Sequence, residues 1–192
     1  MLTVHMFDLS DGSARQAGYG DRLQDDAIWT GVNSFQDVQN ELARIAKRGT
    51  RIDDLWFHMH GAPGVIGFEY SDPPIRTDNV SQLAKVCAAA MAAPARVLIA
   101  GCNVGEGPQG ETFLRAAGPA MLGFGGGVML AATSMTFSVP IQGEWLPGWA
   151  QVRAAKVSPG GAVVISTSSY AGWSNLQWLA SMATVPITRL MR

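Results

Sequence analysis

Val97-Leu98-Ile99-Ala100-Gly101-Cys102-Asn103-Val104-Gly105 is the stretch on which the reading of this chain turns. Residues 97–100 are apolar in succession, without the alternation of a half-exposed strand. A short run of this kind suits a central strand of a parallel sheet, covered on both faces. Gly101 then frees the backbone, and Cys102 is the first reactive side chain beyond the strand. A second stretch has the same design: Leu55-Trp56-Phe57-His58-Met59-His60-Gly61 is an apolar strand ending at a His-Gly pair.

Working outward, the chain reads as strands alternating with helices. Residues 2–7 form a first strand, and residues 8–33 a long loop with a short strand at 27–30. A helix is expected over 35–47, with Ser34 as its cap, Asp37 three residues on, and Phe35, Val38, Leu42 and Ile45 on one face. The second strand covers 54–59 and leads into a turn at Gly61-Ala62-Pro63-Gly64 and a small hairpin over 65–74. A helix over 79–92 capped by Asp78, a strand over 96–101, a helix over 108–117 broken by Gly118-Pro119, and a strand over 127–132 follow. This order implies a mostly parallel sheet with right-handed crossovers. Beyond Thr133 the pattern weakens: 136–144 reads as extended, 150–156 as a short helix, 161–166 as β and 171–182 as a helix that buries Trp173, Leu176, Leu179 and Met182.

Composition bounds the rest. With 192 residues, 47% hydrophobic and 15% charged, the chain is expected to form one domain over 1–192 with a large core. A net charge of −1 gives no electrostatic footprint for nucleic acid. No run approaches the ~18 apolar residues of a membrane span, and the first residues lack the features of a signal peptide. A cytoplasmic location is the default expectation, and export by a signal-less route would leave no trace in the sequence. Two cysteines, Cys87 and Cys102, suggest no disulfide framework. Cys87 falls on the core face of its helix and reads as a packing residue.

Ligands bind beyond the carboxyl ends of strands in open parallel sheets. If the strands before His60 and Cys102 are neighbours, their side chains leave the sheet ~5 Å apart. A thiolate is a nucleophile, and an imidazole exchanges protons near neutral pH. Gly61 lets a backbone N–H approach beside His60, and the N–H of Cys102 is a second candidate donor for an oxyanion. The bland alternative is a small buried cysteine at a strand end. His58 and His60 also share the His-x-His spacing of zinc ligands, with Cys102 and His5 available to complete a set. His58 reads better as a packed or hydrogen-bonded group, and neither metal nor cofactor is expected. Gly61-x-x-Gly64-x-x-Gly67 lacks the helix that a phosphate loop needs. The order His then Cys, and Ala100 two before the cysteine, argue against an elbow-type hydrolase.

His60-Gly61-Ala62-Pro63-Gly64 after one strand and Gly101-Cys102-Asn103-Val104-Gly105-Glu106-Gly107 after the next resemble the caspase-like (clan CD) cysteine peptidase superfamily, and its bacterial members most closely. The resemblance extends to Phe113 on the following helix, Gly127-Val128-Met129 leading into Ala131-Ala132-Thr133-Ser134, and Gly143-Glu144-Trp145, so that it spans residues 54–145. His58 departs from it, standing where the family more often has a small or apolar residue. The resemblance implies a three-layer caspase-like α/β sandwich with a central, mostly parallel sheet. It implies a polypeptide substrate, Cys102 as nucleophile and His60 as acid/base partner, with Gly61 and Cys102 N–H groups at the oxyanion. Glu106, Ser134, Glu144 and Trp145, on loops past the strand ends, are the candidates for a substrate pocket. The alternative is a catalytically inactive interaction or regulatory module on the same fold. Neither oligomeric state nor activation mechanism is legible.

Overall fold

In the computed structural model the described residues are 1–9, 27–67, 73–134, 138–141, 144–147 and 151–169, without the side chains of 138–141, 144–147, 168 and 169. The predicted helix over 171–182 lies outside them.

A seven-stranded sheet organises these residues, in the order β12-β11-β8-β7-β3-β1-β2. Its strands are β1 (Thr3–Asp8), β2 (Ala27–Val32), β3 (Ile52–His58), β7 (Met91–Ile99), β8 (Gly127–Ala132), β11 (Gln151–Val157) and β12 (Val163–Ser169). The five strands from β8 to β2 run parallel, and β11 is antiparallel to both of its neighbours. The chain is thus α/β with a mostly parallel central sheet, as the strand–helix alternation predicts. Because β1 lies between β2 and β3, the strand order reverses direction there, which puts a topological switch point at the carboxyl ends of β1 and β3.

Three helices, α1 (Phe35–Lys47), α2 (Ala84–Ala90) and α3 (Gly107–Leu122), share one core with one face of the sheet. Phe35, Val38, Leu42 and Ile45 of α1 are buried in the same core as Val4, Met6, Leu55 and Phe57 of the sheet. Each such side chain contributes about 1.5–3 kcal/mol by leaving water. The predicted cap is present: Ser34 Oγ accepts from Asp37 N at 3.1 Å, and Asp37 Oδ2 accepts from Asn33 N at 3.0 Å. The opposite face of the sheet is buried as well, around Trp56, Leu98, Val128, Leu130, Ala132, Val152 and Ala154. Burial of both faces is what a layered sandwich requires.

Four expectations need correction. The helix predicted over 150–156 is strand β11: its alanines favour a helix locally, but Val152 and Ala154 pack on one face and Ala155 and Val157 on the other, and pairing on two sides outweighs propensity. Gly118-Pro119 does not break α3, which runs on to Leu122. The proline removes a single helical hydrogen bond near the end, while Ala120, Met121 and Leu122 gain burial beyond it. The helix over 79–92 is a 3-10 turn, Val80–Leu83, followed by the short α2. Asp78 does not cap it, and Asn79 Oδ1 instead accepts from Arg76 N at 2.8 Å. Finally, the strand expected to begin at 96 begins at Met91, so the chain passes from α2 into β7 without a loop.

Candidate functional site

β3 and β7 are direct parallel neighbours, in register from Leu55 opposite Val97 to Phe57 opposite Ile99. The pairing ends with Ala100 N donating to Phe57 O at 2.9 Å. Two and three residues past those strands come His60 and Cys102, so the adjacency on which the Cys/His reading depends is present in the sheet. The two turns are pressed together. A Cβ added at Gly61 would lie 2.6 Å from the Cys102 carbonyl oxygen and 2.5 Å from Val104 Cγ2, so only glycine fits there. Gly61 opens β4 (Gly61–Ala62), which pairs with β5 (Val65–Ile66) and then β6 (Ile75–Arg76) in a small antiparallel sheet. Gly67 N donates to His60 O at 2.8 Å and closes this hairpin beneath the histidine.

The loop that carries Cys102 is held by three backbone hydrogen bonds. Asn103 N donates to Ser134 O at 3.0 Å, Gly105 N to Ala132 O at 2.7 Å, and Gly64 N to Val104 O at 3.0 Å. These bonds tie the loop to the end of β8 and to the His60 hairpin. Asn103 takes a φ of 61°, a left-handed conformation that asparagine tolerates well. Gly110, in the first turn of α3, meets the loop backbone directly: a Cβ there would stand 2.2 Å from the Gly105 carbonyl carbon. Sequence reasoning passes over Gly110, whose spacing of five from Gly105 is the only signal of this contact. On the far side, Arg153 of β11 donates to Gly107 O, fixing the start of α3 to the sheet.

His60 is exposed and Cys102 half-buried, so both are reachable from solvent. Ser134 is half-buried and adjoins the cysteine loop through its carbonyl. Glu106 is exposed at the N-cap of α3, where its N–H donates to Asn103 O at 2.8 Å. Glu144 and Trp145 begin β10 (Glu144–Pro147), which pairs with β9 (Ser138–Ile141), and their side chains lie outside the described residues. Of the four pocket candidates, Glu106 and Ser134 are thereby joined to the cysteine loop through backbone hydrogen bonds.

His58 is not available as a ligand beside His60. Its Nε2 lies 2.9 Å from His5 Nδ1, a buried hydrogen bond. The pair belongs to a stack with Trp29 and Trp56: His5 lies parallel to Trp29 at 3.9 Å between centroids, and His58 parallel to Trp56 at 5.7 Å. Burial, reinforced by His58, pushes the His5 pKa down to about 2, and burial alone pushes that of His58 down to about 4. Both rings are therefore neutral at physiological pH. Among the described residues, His5 Nε2 and Trp29 Nε1 are buried without a hydrogen-bond partner. Among the described residues, no three His, Cys, Asp or Glu side chains group so as to hold a metal. Cys87 is fully buried on α2, and burial pushes its thiol up to about 12, which leaves it inert as read from the sequence.

Compared with known protein families and with curated proteins, the chain matches none of them.

Proposed function

We propose that this chain is a caspase-like cysteine hydrolase that cleaves peptide bonds with Cys102 and His60. The observation that carries the reading is the abutment of the two turns: Cys102 and His60-Gly61 leave neighbouring parallel strands, and the turn backbones are in contact. In the proposed reaction His60 takes the proton of the Cys102 thiol, and the resulting thiolate attacks the carbonyl carbon, forming the C–S bond and an oxyanion. The N–H groups of Gly61 and Cys102 hold that oxyanion. His60 protonates the leaving amine as the C–N bond breaks, which yields a thioester and the freed peptide. Water, deprotonated by His60, then attacks the thioester; the C–S bond breaks, the acid product leaves, and His60 returns the proton to Cys102. General acid–base assistance of this kind contributes roughly 10²–10⁴-fold.

Labelling with a peptide probe bearing a thiol-reactive electrophile tests the reading. Wild type is expected to label at Cys102, with labelling abolished in Cys102→Ala and slowed about 10²-fold or more in His60→Ala. Equal labelling of wild type and Cys102→Ala sinks the proposal and leaves the inactive interaction module as the reading to pursue.

A further inference from the structure

Beside the hairpin that begins at His60 runs an open groove of about 490 Å³. Its walls are the β4–β5 turn at Pro63 and Val65, the segment from Arg76 to Asp78, and the first turns of α3 at Gln109 and Thr112. We infer that this groove seats the part of a peptide substrate on the carboxyl side of the cleaved bond; the inference rests on the reading of Cys102 and His60 as a peptidase dyad.

Three observations lead there. The first is direction. The group that protonates the leaving amine stands on the leaving-group side of the bond. That group is His60, and the hairpin it opens is one wall of the groove. The second is shared construction. The other wall is the first turns of α3, joined to Cys102 by the short loop of residues 103–106. The hairpin wall is tied to that loop by the bond from Gly64 N to Val104 O at 3.0 Å. The two walls meet backbone to backbone, since a Cβ on Gly64 would stand 2.8 Å from Gln109 O. The groove is thus built on the segments that directly follow His60 and Cys102 in the chain. The third is size and chemistry. The volume falls in the ~300–1,000 Å³ range of ligand clefts. The lining combines the apolar Pro63 and Val65 with Gln109, Thr112 and one charge of each sign, Arg76 and Asp78. Such a surface suits a polar, extended peptide segment, and Arg76 favours an acidic side chain where it meets one.

The experiment fills the groove and compares two reactions of the same thiol. Thr112→Trp and, independently, Gln109→Trp place a large ring in the groove from exposed positions of α3. Each variant is incubated with a mixture of randomised dodecapeptides and the cut positions are read by mass spectrometry. Iodoacetamide, which needs no groove, is used in parallel to alkylate Cys102. Peptide cleavage is expected to fall about tenfold in both variants while alkylation keeps its wild-type rate. Arg76→Glu is expected to reverse the preference for acidic over basic residues on the carboxyl side of the cut, leaving the amino side unchanged. Cleavage at wild-type rates in both tryptophan variants overturns the inference, as does a preference change confined to the amino side. If wild type cleaves no peptide, the dyad reading fails and the groove assignment falls with it.

Discussion

Gly61 is the residue on which the candidate site is most finely balanced. Its missing Cβ leaves room for the Cys102 carbonyl oxygen and for Val104 Cγ2, both within 2.6 Å of where a methyl would stand. One contact is backbone, so no side chain can swing aside. Gly61→Ala is expected to cost about 1–3 kcal/mol in urea denaturation and to slow Cys102 labelling by separating the two turns. A variant with wild-type stability would mean that the turns are not in contact. The two cysteines offer a second test at this scale. Cys87 is fully buried with its thiol pushed up to about 12, whereas Cys102 is half-buried. Native protein treated with iodoacetamide at pH 8 is expected to carry one adduct, on Cys102, and two after unfolding in urea. Rapid native alkylation of Cys87 would contradict its burial. These identities are legible in the sequence, because a cysteine after Gly101 and a histidine before Gly61 need no structure to be noticed.

Among elements, β1, β2 and β3 are joined by the stack of His5, Trp29, Trp56 and His58. Each of these residues sits opposite or diagonal to another in the parallel register, with His5 across from Trp29 on one side and Trp56 on the other. The stack has a consequence for pH. Both histidines have pKa values lowered in the folded chain, to about 2 and about 4, against an ordinary value near 6.5. The unfolded chain therefore takes up protons first as the pH falls. The stabilisation is complete above pH 6.5 and is lost progressively below it. Between pH 8 and pH 5 the two rings together are expected to remove roughly 4 kcal/mol, a large part of a typical domain's stability. Urea midpoints across this range measure it, and replacing both histidines in His5→Phe/His58→Phe is expected to flatten most of the slope. An unchanged slope in the double variant would assign the acid sensitivity elsewhere. The sequence offers three histidines but does not say which two meet, since the separation of 53 residues between His5 and His58 becomes contact only through the sheet.

For the whole molecule, the order of strands governs both stability and site. β3 and β7, the pair that carries His60 and Cys102, are also linked by a bidentate ion pair from Arg96 to Asp54, with Asp54 almost wholly buried. Breaking one half of a buried pair strands the other charge. Arg96→Met is expected to cost about 3–5 kcal/mol, and Arg96→Met/Asp54→Leu to recover a substantial part of it. A single variant as stable as wild type would show the pair to be solvent-screened. Thermal or urea unfolding of wild type and the two variants decides between these outcomes.

What the sequence determined by itself is the alternation of buried strands and amphipathic helices, the Ser34 cap, and the two reactive residues placed just past their strands. These are local matters: burial periodicity, capping chemistry and the apolar run at 97–100 are written within a few residues of where they act. The tertiary structure alone decided that β3 and β7 are neighbours, that β11 pairs as a strand where its alanines favour a helix, that Pro119 sits inside α3, and that His58 faces His5. Each of these depends on which surfaces meet across long separations in the chain. Pairing on two sides of a strand, or burial beyond a proline, outweighs a local preference of a kcal/mol or so per residue.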